Sequence, residues 1–220
     1  MRLPRLMGLL AVVLLCVPFA HADGGTDNMV FLNVNGANDG QYYVSPYYGT
    51  MNGQPVVLFC DDIKNEISFG QTWTANVTNL GTALSTLGGF ANTRYGGVAG
   101  SPVFSNAGIA YEEAAWLTTQ FASNPGDLVN LQYALWDIMN PGTYSNPDVT
   151  SWLNKAGMSS NYASINPDNF EIITNFGPLS LTGQEQEFIV QTPEPSTLAL
   201  LVFGILGLAA LSLSRGRAIA

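Results

Sequence analysis

Four short segments in the first third of the chain are rich in apolar, aromatic and β-branched residues and are bounded by turn-forming residues. They predict strands at residues 29–34, 41–48, 55–60 and 72–78. Residues 36–40, Gly-Ala-Asn-Asp-Gly, predict a hairpin between the first two strands. The continuous apolar run Pro-Val-Val-Leu-Phe-Cys at 55–60 predicts a central strand that is buried on both faces.

The middle of the chain has a helical period instead. Residues 128–139 have the most regular pattern, and Asn146-Pro147 predicts the cap of a further helix that ends near Lys155. An earlier helix is predicted by apolar residues that share one helical stripe: Ala110, Ala114, Leu117 and Phe121.

The last part of the chain returns to strand patterns, at residues 170–175 and 187–191. Residues 81–108 are rich in Gly, Ser, Thr and Asn, and we expect a loop region with a short helix near residues 82–87. Strands, then helices, then strands predict an α+β fold. We expect a β-sandwich or barrel with an inserted helical subdomain.

The N-terminus has the layout of a secretory signal peptide. Arg2 and Arg5 precede an apolar run that ends in Ala20-His21-Ala22, where Ala20 and Ala22 are the small residues of a cleavage site. We therefore expect residues 1–22 to be removed during export.

The C-terminus carries a second targeting pattern. Pro193-Glu194-Pro195 precedes an apolar stretch at residues 198–213, and Arg215 and Arg217 follow it. The stretch is near the lower limit for a transmembrane helix, and the arginines would remain on the cytoplasmic side. Residues 193–217 closely resemble the PEP-CTERM sorting signal of Gram-negative bacteria. The resemblance implies an exported protein that is anchored transiently in the membrane until an exosortase-type enzyme recognises Pro-Glu-Pro and removes the tail.

The predicted extracellular domain, residues 23–192, is strongly acidic. Between residue 23 and Pro195, three basic residues (Lys64, Arg94 and Lys155) stand against sixteen acidic ones, a formal charge of −13. This balance excludes nucleic-acid binding through phosphates. It suits solubility outside the cell.

Cysteine and histidine are scarce in a way that limits the chemistry. Cys16 and His21 leave with the signal peptide, so the mature chain has one cysteine, Cys60, and no histidine. An internal disulfide, a Cys-His nucleophilic pair and histidine-ligated metal sites are therefore excluded. We expect no metal and no cofactor. Cys60 is either a reactive thiol or an inert buried one.

One polar residue interrupts the apolar face of the helix at residues 128–139. The face consists of Leu128, Leu131, Gln132, Leu135, Trp136 and Met139. A buried amide costs about 1–3 kcal/mol if it stays unpaired, so Gln132 either bonds to backbone groups or reacts. Attack of a Cys60 thiolate on the side-chain carbonyl of Gln132 would expel ammonia and leave an internal thioester.

Two short motifs carry a family resemblance. Phe59-Cys60 resembles the aromatic-cysteine motif of bacterial surface thioester domains. Residues 131–136, Leu-Gln-Tyr-Ala-Leu-Trp, are similar to their Gln-x-Ala-aliphatic-Trp motif. The resemblance implies that Cys60 and Gln132 form a thioester pair in a covalent adhesin that is not an enzyme. An amine on a partner, such as a lysine, would open the bond and stay attached to Gln132.

Neighbouring residues have candidate supporting roles. Alternation along a strand places Asp62 on the same face as Cys60, so it is a candidate proton acceptor; the alternative is a solvated turn carboxylate. Trp116 and Trp136 either shield the bond from water or pack in the core. Glu112 and Glu113 are expected to begin a helix, where acids suit the helix dipole.

Other functional classes remain open. The main alternative is a non-catalytic structural protein of the envelope or extracellular matrix that is sorted by exosortase. A hydrolase with paired carboxylates has little support, because the side chains of Asp61 and Asp62 would point apart. Calcium binding by Asp61, Asp62 and Glu66 lacks the spacing of an EF-hand.

Overall fold

Six antiparallel strands form a closed barrel in the computed structural model, which describes residues 25–34 and 37–192. Around the barrel the strands follow the order β1-β2-β3-β6-β5-β4, so the two C-terminal strands complete the wall between β3 and β4. The strands are β1 Thr26–Val34, β2 Tyr47–Met51, β3 Gln54–Cys60, β4 Thr72–Asn79, β5 Phe170–Asn175 and β6 Phe188–Gln191.

All six α-helices of the described residues lie between β4 and β5 in the sequence, which confirms the α+β expectation of a barrel with a helical insertion. The bounds of the helix at Leu128–Met139 match the prediction. Asn146 caps the helix that follows, as expected, by accepting the amide hydrogen of Val149. The helices are α1 Leu80–Ser85, α2 Arg94–Gly97, α3 Ala107–Thr118, α4 Leu128–Met139, α5 Pro147–Ala156 and α6 Ser159–Tyr162.

A two-residue turn at Asn52-Gly53 joins β2 to β3. Both residues have positive φ angles, 51° and 78°, the conformation that Asn and Gly tolerate best in such hairpins.

The strand predicted at residues 41–48 is wrong over most of its length. β2 begins only at Tyr47, and the preceding residues form a loop with one isolated bridge between Asn38 and Tyr43. Pro46 supplies the physical reason, because it has no amide hydrogen to donate to a strand ladder. Residues 35 and 36 lie outside the described residues, and residue 36 is the first residue of the predicted turn.

The sequence predicted that β3 is buried on both faces, and this prediction is wrong for the first half of the strand. Val57 is 42% exposed, whereas Leu58, Phe59 and Cys60 are buried. The first half of β3 belongs to the hairpin end of the barrel. The second half lies under the helices, so only that half is covered on both sides.

The end of β3 divides its side chains between two apolar clusters. Leu58 and Cys60 point into the barrel, where they pack with side chains such as Phe188. Phe59 points outward into a second cluster formed mainly by α3, α4 and α5. Trp136 of α4 belongs to the barrel cluster, so α4 contacts both cores.

A fully buried arginine ties the barrel to the helical insertion. Arg94 of α2 has its Nε 3.2 Å from a carboxylate oxygen of Asp62, an ion pair whose angle falls short of a hydrogen bond. The main-chain amide of Arg94 donates to Glu187 at 2.7 Å, and its guanidinium donates to Asn175 at 3.1 Å. Arg94 thus connects the segment after β3 with β5 and with the start of β6.

We expect Arg94→Met to destabilise the protein by about 3–5 kcal/mol, because it leaves the buried carboxylate of Asp62 without its cation. Lys64→Met, at an exposed position, is the matched control and should change stability by less than about 0.5 kcal/mol. Urea unfolding of both variants measures the difference. Equal midpoints for the two variants would contradict this role of Arg94.

Candidate functional site

The end of β3 and the middle of α4 meet inside the protein. The side-chain amide of Gln132 donates a hydrogen bond to the main-chain carbonyl oxygen of Cys60 at 2.6 Å, and both residues are completely buried. The two residues singled out by the sequence are therefore in direct contact, although 71 positions separate them in the chain.

A third residue, Ser45, bonds to both partners. Its main-chain amide donates to Oε1 of Gln132 at 2.9 Å, and its hydroxyl oxygen accepts the amide hydrogen of Cys60 at 2.9 Å. Ser45 is itself fully buried, at the end of the loop that leads into β2. Sequence reasoning missed this residue because it assigned the segment to a strand. The only available signal was its position before Pro46.

These contacts give each end of the Gln132 amide a hydrogen-bond partner. Its nitrogen has the Cys60 carbonyl and its oxygen has the Ser45 amide, so the buried side chain incurs no unpaired-amide penalty. The same contacts hold the Gln132 amide in one orientation. They also direct the main-chain N–H of Ser45 at Oε1 of Gln132, which is the position of a donor that stabilises a developing oxyanion.

The Cys60 thiol lies between a main-chain acceptor and an indole donor. Sγ is 3.3 Å from the carbonyl oxygen of Asp62, to which it donates, and Nε1 of Trp136 donates to Sγ at 3.5 Å. Burial raises the pKa of Cys60 well above its usual value. The negative charge of Asp62 adds to the rise, and the Trp136 hydrogen bond opposes it. The thiol is therefore neutral at pH 7 and needs a proton acceptor in order to react.

Asp62 is not the solvated turn carboxylate considered as an alternative, because it is fully buried. Asp62 lies two residues beyond the end of β3, so strand alternation does not determine where its side chain points. Besides the Arg94 ion pair, its carboxylate accepts hydrogen bonds from Asn65 at 2.8 Å and from Tyr95 at 3.2 Å. Its assignment as the proton acceptor stays a prediction.

Asp61 lies beside this network without joining it. It is fully buried, and within the described residues neither carboxylate oxygen has a hydrogen-bond partner. Burial raises the pKa of Asp61 well above its usual value, with further contributions from the charges of Glu187 and Asp62, while Arg94 opposes the rise. Asp61 is therefore a carboxyl group that retains its proton more readily than an exposed aspartate.

The remaining predicted residues fall elsewhere. Trp116 lies in the helical cluster near Trp152, with ring centroids 6.5 Å apart, so it packs in the core and not against the thiol. Glu112 and Glu113 lie in the middle of α3 and do not begin it, which corrects the helix-start assignment. In residues 25–34 and 37–192, no three Asp, Glu, Cys or His side chains are grouped to hold a metal ion.

Comparison with known proteins identifies the targeting signal at the C-terminus. A family model described as the PEP-CTERM protein-sorting motif matches residues 191–215. The chain carries a PEP-CTERM signal. The PEP-CTERM motif indicates an exported protein of the cell envelope with a C-terminal membrane-anchoring signal that exosortase processes. No curated protein and no solved structure matches the chain.

The targeting segments themselves lie outside the described residues. These comprise the predicted signal peptide at residues 1–22 and the sorting residues from Pro193 to Arg217, with the predicted transmembrane stretch at 198–213. Within the part of the chain that the structure describes, no helix combines the length and hydropathy needed to cross a bilayer.

We expect Asp61→Asn to gain stability relative to the wild type as pH rises from 4 to 7. In the unfolded chain Asp61 ionises near pH 4, whereas in the folded protein its pKa is raised. Between the two values the folded state binds more protons, so wild-type stability falls with rising pH, by up to about 1.4 kcal/mol per pH unit.

Urea unfolding at several pH values measures this difference. The same exchange at the exposed Asp148 reports the effect of removing a surface charge. A difference between Asp61→Asn and wild type that stays constant from pH 4 to 7 would show that Asp61 does not take up a proton on folding.

Proposed function

We propose that residues 23–192 form a surface adhesin domain in which Cys60 and Gln132 join as an internal thioester that captures an amine-bearing partner. The observation that carries the proposal is the buried contact between the Gln132 amide and the Cys60 end of β3. The PEP-CTERM signal supports the location that such a protein needs, on the outside of the cell.

Bond formation converts a thiol and a primary amide into a thioester and ammonia. The sulfur of Cys60 gives up its proton and attacks Cδ of Gln132. The Ser45 amide, 2.9 Å from Oε1, stabilises the negative charge that develops on that oxygen. The carbon–nitrogen bond then breaks, and the departing nitrogen takes the proton that the thiol released.

Asp62 is the proposed carrier of that proton. Its main-chain carbonyl already accepts the thiol hydrogen, and its negative charge is close enough to raise the pKa of Cys60. The ion pair with Arg94 holds the carboxylate of Asp62 in one position.

The surroundings of the sulfur favour a long-lived bond. Cys60, Gln132 and Trp136 are all nearly inaccessible to water, which protects a thioester from hydrolysis. The raised pKa of Cys60 also makes its thiolate a poor leaving group at this site. Opening therefore requires an amine that reaches the carbonyl carbon, as expected of an adhesin that waits for its target.

A second function is favoured by one specific observation. Because both ends of the Gln132 amide are hydrogen-bonded, the residue also serves as a link between α4 and the barrel without any covalent bond. The domain would then be a structural protein of the envelope or matrix, sorted by exosortase, in which Cys60 is an inert buried thiol.

Intact mass spectrometry of the exported protein separates the two functions. We expect wild-type protein to be lighter, by the mass of one ammonia, than its processed sequence. Cys60→Ser and Gln132→Glu should each show the full mass expected of their sequences. Because all variants share the same processed ends, uncertainty in the cleavage sites cancels in the comparison.

Gln120→Glu, in the turn that follows α3, is the matched control and should retain the deficit. Methylamine should add its own mass to the wild-type protein and release one alkylatable thiol. Full mass in freshly isolated wild-type protein, with Cys60 alkylatable once the chain is unfolded, would rule out the adhesin and leave the structural role.

A further inference from the structure

Three tyrosines surround the indole that contacts the Cys60 sulfur. The ring centroids of Tyr42, Tyr133 and Tyr144 lie 5.8, 5.9 and 5.9 Å from that of Trp136. Tyr133 and Tyr144 also stack on each other, with centroids 3.9 Å apart and planes 10° apart. We call Tyr42, Tyr133 and Tyr144 the tyrosine platform.

Each member of the platform is held in place from a different direction. Tyr133 and Trp136 are three residues apart on α4 and so share one face of the helix. The main-chain amide of Tyr144 donates to the carboxylate of Asp137 at 2.9 Å, which fixes the chain after α4. Tyr42 comes from the loop that leads to Ser45.

A carboxylate completes this surface. Asp39 is exposed, and it accepts hydrogen bonds from the Tyr133 hydroxyl and from the main-chain amides of Gln41 and Tyr42. Burial alone would raise its pKa, but the hydrogen bonds from Tyr133, Tyr42 and Gln41 outweigh that effect and hold the pKa below its usual value. Asp39 is therefore negatively charged at neutral pH and fixed beside the tyrosines.

The platform reaches solvent while the reactive pair does not. Tyr42 is 36% exposed and Tyr133 and Tyr144 are half-buried, whereas Trp136 is 1% exposed. On this side of the domain a molecule arriving from solvent meets the tyrosines first and Trp136 next. The Cys60 sulfur follows, 3.5 Å from the indole nitrogen.

Aromatic faces beside a fixed carboxylate attract organic cations. The ring quadrupole favours an ammonium or guanidinium group over the face, and the carboxylate adds charge attraction. The strong negative charge of the domain draws basic partners towards it in general. The chain shows the same contact elsewhere, where Nζ of Lys155 lies 4.0 Å from the ring centre of Trp152.

We infer that the tyrosine platform and Asp39 receive the lysine side chain of a protein partner before it attacks the Cys60–Gln132 bond. This inference rests on the proposed thioester and names the amine that opens it. The bound ammonium releases one proton to water, and its nitrogen attacks Cδ of Gln132. An amide bond forms, the carbon–sulfur bond breaks, and the Cys60 sulfur takes up a proton. Because Trp136 lies between the platform and the sulfur, the indole must move aside during the attack.

Two probes separate recognition of the cation from reactivity of the bond. Nα-acetyl-lysine amide carries an ammonium group at neutral pH, whereas hydroxylamine is an uncharged nucleophile that does not need a cation site. Both form adducts that intact mass spectrometry follows over time. We expect Tyr144→Leu and Asp39→Asn to react roughly 5- to 10-fold more slowly than wild type with the lysine probe, and at the wild-type rate with hydroxylamine.

Matched variants complete the test. Tyr144→Phe keeps the ring and should keep the wild-type rate, as should Tyr48→Leu, which removes a tyrosine that is 39% exposed on β2. Retention of the ammonia deficit identifies the variants that fold with the bond intact. If Tyr144→Leu loses the ammonia deficit, the reaction rates of Asp39→Asn with the two probes test the platform instead.

The possible failures are distinguishable. Wild-type rates for Tyr144→Leu and Asp39→Asn with the lysine probe would overturn the platform and leave the thioester standing. Equal slowing with both probes would also overturn it, because the tyrosines would then control access and not recognise a cation. Absence of the ammonia deficit in wild-type protein would overturn the thioester and, with it, this role of the platform.

Discussion

The hydrogen bond from the Gln132 side chain to the Cys60 carbonyl is the contact on which the remaining geometry depends. It fastens the middle of α4 to the end of β3, and Ser45 secures it by bonding to both residues. With α4 held there, Trp136 enters the barrel core next to the sulfur, and Tyr133 of the same helix faces the solvent side. A single link between strand and helix therefore organises both the buried pair and the surface above it.

The environment of this link has opposite character on its two sides. Beyond the end of β3 lies a buried network in which Asp62 pairs with Arg94. Beside it, burial and neighbouring acids raise the pKa of Asp61. Such a setting disfavours a free thiolate and keeps Cys60 unreactive towards ordinary solutes. On the solvent side lie aromatic rings and the Asp39 carboxylate. We propose that this asymmetry makes the site stable in water yet open to one class of nucleophile.

Much of the fold could be predicted from local pattern, because the period of apolar residues is local information. The bounds of α4 followed from the helical period of its apolar residues. The contact between Cys60 and Gln132 was suggested by one polar residue on that apolar stripe and by one cysteine at a strand end. The burial of Asp62 could not be predicted in this way. Its partner Arg94 lies in a glycine-rich segment, and tertiary contacts place them together. Ser45 was missed because residues 41–48 have the composition of a strand, although Pro46 interrupts them and β2 begins only at Tyr47.

The central claim is that the side-chain amide of Gln132 is replaced by a bond to sulfur in the exported protein. Nuclear magnetic resonance of protein labelled with nitrogen-15 at glutamine tests it directly, because each intact side-chain amide gives one pair of signals. We predict that wild-type protein shows one pair fewer than Cys60→Ser, and that the missing pair belongs to Gln132. Equal numbers of pairs in the two proteins would contradict the account.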